Sequence, residues 1–351
     1  ISTVLYMAVA VAGVSVLGAD ALAAAEQPLA AVMSTALGGR SADAVALARQ
    51  HQENTQDELK LASARAKVLL LFSAAPRSLK GFGDGSQTVK LDGSPYAMGD
   101  GVLVSIQDVR GLVSLNGPSL SGADAGRIER LLGTYGLDND KATSLAEALL
   151  DYRDEDALRR LNGAEVADYR QVGKEALIRN KDLVDPYEAS RVLGWAQTSA
   201  LWGGDPVTRH LSTFPGMSFN PNVADWRALV AATGLDEKTA RELVAKRQKG
   251  ELDDIAPLAF SGGVGDPFGA NAFVTIFPSA TALITLRTYR AQWGYQLTVH
   301  HTPTESASPW RIEAVRRVNL GPPGQPYKDY ATLPDIEVLK TLDASPLKLP
   351  F

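Results

Sequence analysis

The sequence predicts an α+β protein in which a long N-terminal helix lies on an antiparallel sheet and a large all-helical unit is inserted between strands. Three observations lead there. Residues 1–75 carry apolar residues in unbroken or helical spacing, short alternating strands occur both before residue 118 and after residue 259, and five capped amphipathic segments fill the interval. The chain has 351 residues, enough for more than one hydrophobic core, and its net charge of −5 argues against a protein built mainly to hold nucleic acid. It has no cysteine, which excludes disulfides, thiolate metal sites and cysteine nucleophiles.

The first element opens with "ISTVLYMAVAVAGVSVLGA", nineteen residues without a charge before Asp20. As a helix this stretch spans about 28 Å, close to the hydrocarbon core of a bilayer. It reads as a membrane anchor; a secretory signal, with the small residues of "ADALAAAEQ" as cleavage sites, is the second reading and a buried globular helix the third, and the first two export the chain. Pro28 and Gly38-Gly39 interrupt the pattern. Ala44, Val45, Ala48, Leu59, Leu61, Ala64 and Leu69 then form a stripe at helical spacing up to about residue 75.

In residues 76–118, Val102, Val104 and Ile106 alternate, Leu112 and Leu115 continue the pattern less strictly, and Gly and Asp-Gly turns punctuate the runs, so an antiparallel meander is expected. Residues 119–258 read as the helical insert, from "SGADAGRIERLLGTYG", "DKATSLAEALLDYRD", "DPYEASRVLGW", "VADWRALVAATG" and "DEKTARELVAKRQ". "SGGVGDPFGANAF" lacks the G-K-[ST] ending of a phosphate-binding loop and reads as a link. Strands resume over 259–320, and residues 321–351, with six prolines, suit an extended tail with one short helix at 335–342.

Little here resembles catalytic machinery, and the chain reads as non-enzymatic. G-x-S-x-G, H-E-x-x-H and G-x-G-x-x-G are absent, and His300 and His301, adjacent in an expected strand, point to opposite faces. "TGLDEKTARELVAKR" imitates half of a helix-hairpin-helix, a phosphate-holding unit, but residues 190–250 hold only eight Lys or Arg against five Asp or Glu. The densest chemistry is "DYRDEDALRRLNGAEVADYR", residues 151–170, with six carboxylates in twenty residues. Short Asp and Asn arms near one turn suit Ca²⁺, which takes six to eight oxygens at about 2.4 Å. Arg153, Arg159, Arg160 and Arg170 interleave and equally suit a solvated, salt-bridged helix. The pattern alone leaves both readings open.

Taken in order, these blocks resemble the K-type minor pseudopilin family of bacterial type II secretion. "VSIQDVRGLVSLNG" is similar to the family's D-x-x-G-K-I-N-L-N strand, and "DYRDED…NGAEVADY" to its D-W-I-D-x-D…N-G-A-E-D-x-Y block. "RNKDLVDPYEASRVLGW" and "FPGMSFNPNVADWRALVAATGLDEKTARELVAKRQKGELDDI" resemble the segments that follow. Tyr152 stands where the family has Trp, the proline before Asn162-Gly163 is missing, Pro221 interrupts an expected strand, and position 5 is Leu5 rather than the Glu of most pilins. The resemblance implies a pilin-like sheet with a helical insertion and a non-enzymatic role at the tip of a periplasmic pseudopilus. It implies I- and J-type minor pseudopilins as partners, an inner-membrane anchor at residues 1–19, and no nucleic acid. It also implies calcium in the acidic block, with Asp151, Asp154, Asp156, Asn162, Glu165 and Asp168 as candidate ligands. A tip subunit of a type IV pilus or competence system, or an exported helix-hairpin-helix DNA-binding protein, are the alternatives.

Overall fold

The computed structural model describes residues 41–79, 81–84, 87–117, 123–216, 218–247, 274–303 and 308–334. The apolar segment 1–19, the Gly-rich link 261–273 and the expected helix 335–342 lie outside the described residues. Among those described, no helix is long and apolar enough to cross a membrane.

Helix α1, Ser41–Ala74, is 34 residues long, but its apolar stripe is buried only in the C-terminal half. Leu61, Ala64, Val68, Leu71 and Phe72 return every three or four residues to the sheet, whereas Ala48 is exposed and Leu59 is 38% exposed. In the N-terminal half of the expected stripe Val45 is half-buried and Ala48 exposed, so no described strand buries it.

Three short strands follow, β1 (Arg77–Ser78), β2 (Gly81–Asp84) and β3 (Gln87–Val89), which form their own small antiparallel sheet. β4 (Asp92–Ala97) and β5 (Val102–Asp108) open the main sheet. Val102, Val104 and Ile106 are buried against α1, as alternation predicts. The meander then stops. Asp108 turns the chain into a 3₁₀ turn at Val109–Gly111 by accepting from Arg110 N–H, and Gly111 is so close to Val223 that a Cβ would stand 2.5 Å from its carbonyl oxygen. β6, Val113–Ser114, leaves the main sheet and pairs in parallel with β7, Leu211–Ser212.

The insert contains α2 (Ala123–Gly133), α3 (Asn139–Arg153), α4 (Val166–Gln171), α5 (Trp226–Thr233) and α6 (Glu237–Arg247). The expected helix in "DPYEASRVLGW" is a 3₁₀ turn, Pro186–Arg191, capped by Asp185. It ends where Val192 becomes extended. Trp195 behind it is fully buried and donates from Nε1 to Leu145 O at 2.9 Å.

After the insert the chain rejoins the same sheet through β8 (Thr281–Thr288), β9 (Trp293–His301), β10 (Trp310–Asn319) and β11 (Ala331–Thr332). The strand order is β10-β9-β8-β5-β4-β11, and β5 pairs antiparallel with β8, so strands from either side of the insert are neighbours. Two cores result. One is formed by α1 and the sheet; the other lies within the helices and also takes in Val113 and Leu115 from the chain before residue 119.

Candidate metal centre

Helix α3 delivers the acidic block. Its last turn buries Asp151, Tyr152 and Arg153, and Asp154 is its C-cap, with backbone N–H donating to Leu150 O at 3.0 Å. The following loop returns to Glu165, the N-cap of α4. Here the sequence has a reciprocal capping box: Glu165 accepts from the first turn of α4, and Asp168 Oδ2 accepts from Glu165 N–H at 2.9 Å. Glu165 is thereby pinned against the end of α3.

One acidic oxygen each from Asp154, Asp156 and Glu165 lie within 4.8 Å of one another. Two of these side chains have a buried oxygen with no hydrogen-bond partner, Asp154 Oδ1 and Glu165 Oε1, and Glu165 is only 4% exposed. Burial pushes the Asp154 carboxyl up despite the opposing Arg160 guanidinium, and burial pushes Glu165 up, with Asp151, Asp154 and Asp156 adding repulsion. Buried, unpartnered carboxylate oxygens in mutual repulsion are a donor set that fits a hard cation.

The other candidates are placed differently. Asp151 is fully buried, and its oxygens accept from Arg160 Nη1 at 2.5 Å and Arg160 N–H at 3.1 Å. Asp168 is committed to the capping box and lies 3.4 Å from Arg159 Nε. Asn162 is exposed and is held through its backbone, by Glu147 Oε2 and Ser144 Oγ. Gly163 fits here because of close approach: a Cβ would stand 2.0 Å from Asp151 Oδ2. Two residues escaped sequence reasoning. Arg160 points inward although it reads as one of four solvated arginines. Asn180, with φ +49°, donates from Nδ2 to Asp156 O at 3.4 Å and has a buried, unpartnered Oδ1.

His300 and His301 diverge as expected. His300 Nδ1 is 2.7 Å from Thr281 Oγ1, and His301 packs edge-on to Phe72.

Residues 103–200 match the family model described as "Type II secretion system (T2SS), protein K". The fold resembles a chain of the crystal structure of the GspK-GspI-GspJ complex from the enterotoxigenic Escherichia coli type 2 secretion system, with a TM-score of 0.53 and 16% identity, over 78% of this chain and 99% of that one. No curated protein matches the chain at a significant level.

Proposed function

We propose that this chain, whose residues 103–200 match the protein K family of type II secretion, is a K-type minor pseudopilin: a non-enzymatic subunit of the periplasmic pseudopilus, positioned at its tip. The observation that carries this reading is the interruption of the sheet. The family match begins in β5 and runs into the helices, so it spans the point where the insert leaves the sheet. A pilin-like sheet with this insertion is an assembly subunit rather than a catalytic scaffold. I- and J-type minor pseudopilins are its partners, in line with the complex that the structural neighbour belongs to. Residues 1–19 anchor it in the inner membrane, with the described fold in the periplasm.

The DNA-binding alternative loses one of its cations to packing. Arg247 is buried and donates to Pro221 O and Ala224 O, so it is withheld from a phosphate. Co-expression with I- and J-type minor pseudopilins is the test. Recovery of a stoichiometric ternary complex is expected; a chain that stays alone beside an assembled I–J pair would sink the proposal.

Calcium belongs to the same reading. Asp154, Asp156 and Glu165 would hold it, a hard cation that neutralises their repulsion and ties α3 to α4. Isothermal titration with CaCl₂ should give a saturable heat, and the melting temperature should rise. Stabilisation should reach about 2.7 kcal/mol at a hundredfold excess over Kd.

A further inference from the structure

Arg160 bridges two carboxylates with one nitrogen. Its Nη1 lies 2.5 Å from Asp151 Oδ1 and 2.6 Å from Asp154 Oδ2, and its backbone N–H donates to Asp151 Oδ2 at 3.1 Å. Asp151 is fully removed from water, so the guanidinium is its counter-charge, and a buried carboxylate without one is strongly destabilising. The loop is braced to keep the side chain there: Arg159 Nε donates to Gly163 O at 3.0 Å, and Asn162 N–H to Glu147 Oε2 at 2.6 Å. The two oxygens of Asp154 have different roles. Oδ2 takes the guanidinium, while Oδ1 is buried without a partner, and Asp154 groups with Asp156 and Glu165.

We infer that Arg160 is a tethered counter-cation that holds the acidic loop folded without metal and sets the affinity of the Asp154–Asp156–Glu165 group for a divalent ion. The inference rests on reading that group as a cation site. A guanidinium sharing Asp154 with the ion weakens the ion's hold in two ways: it draws charge from a common carboxylate, and it repels a second positive centre a few ångströms away. It also removes the repulsion that would open the loop in the metal-free protein. Stability without metal and affinity for metal are thus set in opposite directions by one side chain.

The test compares wild type, Arg160→Gln and Arg160→Lys as full chains, by titration with CaCl₂ and by melting in chelator and in calcium. Arg160→Gln should melt lower in chelator, bind calcium roughly tenfold tighter as loss of one nearby like charge implies, and gain more from calcium than wild type does. Arg160→Lys, which keeps the charge, should bind as wild type does. Should Arg160→Gln fail to fold in chelator, the Asp151→Asn, Arg160→Gln double variant removes both members of the buried pair and should still bind tighter than wild type. A wild type that binds calcium beside a folded Arg160→Gln or double variant that binds it equally or more weakly overturns the inference and leaves the cation site standing. No heat from any of the proteins at millimolar calcium overturns both.

Discussion

His210 is flanked by acid on both ring nitrogens. Nδ1 forms an ion pair with Asp225, the N-cap of α5, and Nε2 lies 3.3 Å from Asp205. Arg227 reaches Asp205 from α5 at 3.1 Å and stacks over Tyr135, whose ring is edge-on to the imidazole, and Arg209 stands 3.8 Å from Asp205. Burial works against the charged imidazole, but the two carboxylates outweigh it and raise His210 to about 9, while contact with His210 holds Asp205 down at about 2. The raised pKa fixes the sign: the stabilisation is fully present below the unfolded value of 6.5 and is lost as pH rises through about 9. A His210→Gln variant should therefore lie on the order of 3 kcal/mol below wild type at pH 6, and the gap should close by pH 10. A gap that stays constant across that range in denaturant titrations would remove the imidazolium from this account. Gly163 gives a second residue-scale outcome. A Cβ there meets the Asp151 carboxylate, so Gly163→Ala should cost about 1–3 kcal/mol by overpacking, read as a lowered urea midpoint with an unchanged slope.

Helix α6 separates a packed cation from an exposed one in adjacent positions. Arg247 lies inside and satisfies the carbonyls of Pro221 and Ala224, while Lys246 is exposed. Arg247→Ala strands those carbonyls and should cost about 1–3 kcal/mol, whereas Lys246→Ala should stay within about 0.5 kcal/mol. If both changes left stability alone but abolished a tight, salt-sensitive shift of DNA, the element would be a phosphate clamp after all. Such distinctions mark how far the sequence could be read. Spacing and caps revealed α2, α3, α5 and α6, and strict alternation revealed the buried face of β5, because those signals are local. The 3₁₀ turn at Pro186–Arg191 reads as a helix in the sequence because cap and proline signal a start but say nothing of length. In the acidic block, the density of carboxylates was legible, and so was the Glu165…Asp168 box in principle. Which oxygens converge was not, since that depends on where α4 docks against the end of α3. The inward turn of Arg160 was hidden for the same reason: nothing in its spacing separates it from Arg159, which lies 55% exposed on the loop.

At the scale of the molecule, the two cores meet at the chain segment 109–117, which determines how the insert can be detached. The pattern of helices suggests residue 119 as its start, but the helical core reaches back across that point. Val113 and Leu115 are buried in it, and β6 pairs with β7. Asn116 donates from Nδ2 to Leu183 O at 2.7 Å and Thr213 O at 2.9 Å, and its Oδ1 accepts from Leu183 N–H at 2.9 Å. Arg153, 6% exposed at the end of α3, donates to Leu115 O and Gly117 O. A piece spanning 119–247 would remove these two acceptors of Arg153, a loss on the order of 1.5–3 kcal/mol for each charged hydrogen bond. It would also open the polar contacts of Leu183 and Thr213. Domains of this size are stable by only about 5–15 kcal/mol, so the shorter piece should be partly unfolded. A piece spanning 113–247 keeps Asn116, β6 and both acceptors of Arg153, and it should unfold cooperatively in urea. Circular dichroism and urea titration of the two pieces measure the difference directly. Equal midpoints would mean that the segment 113–117 follows the helical core rather than completing it.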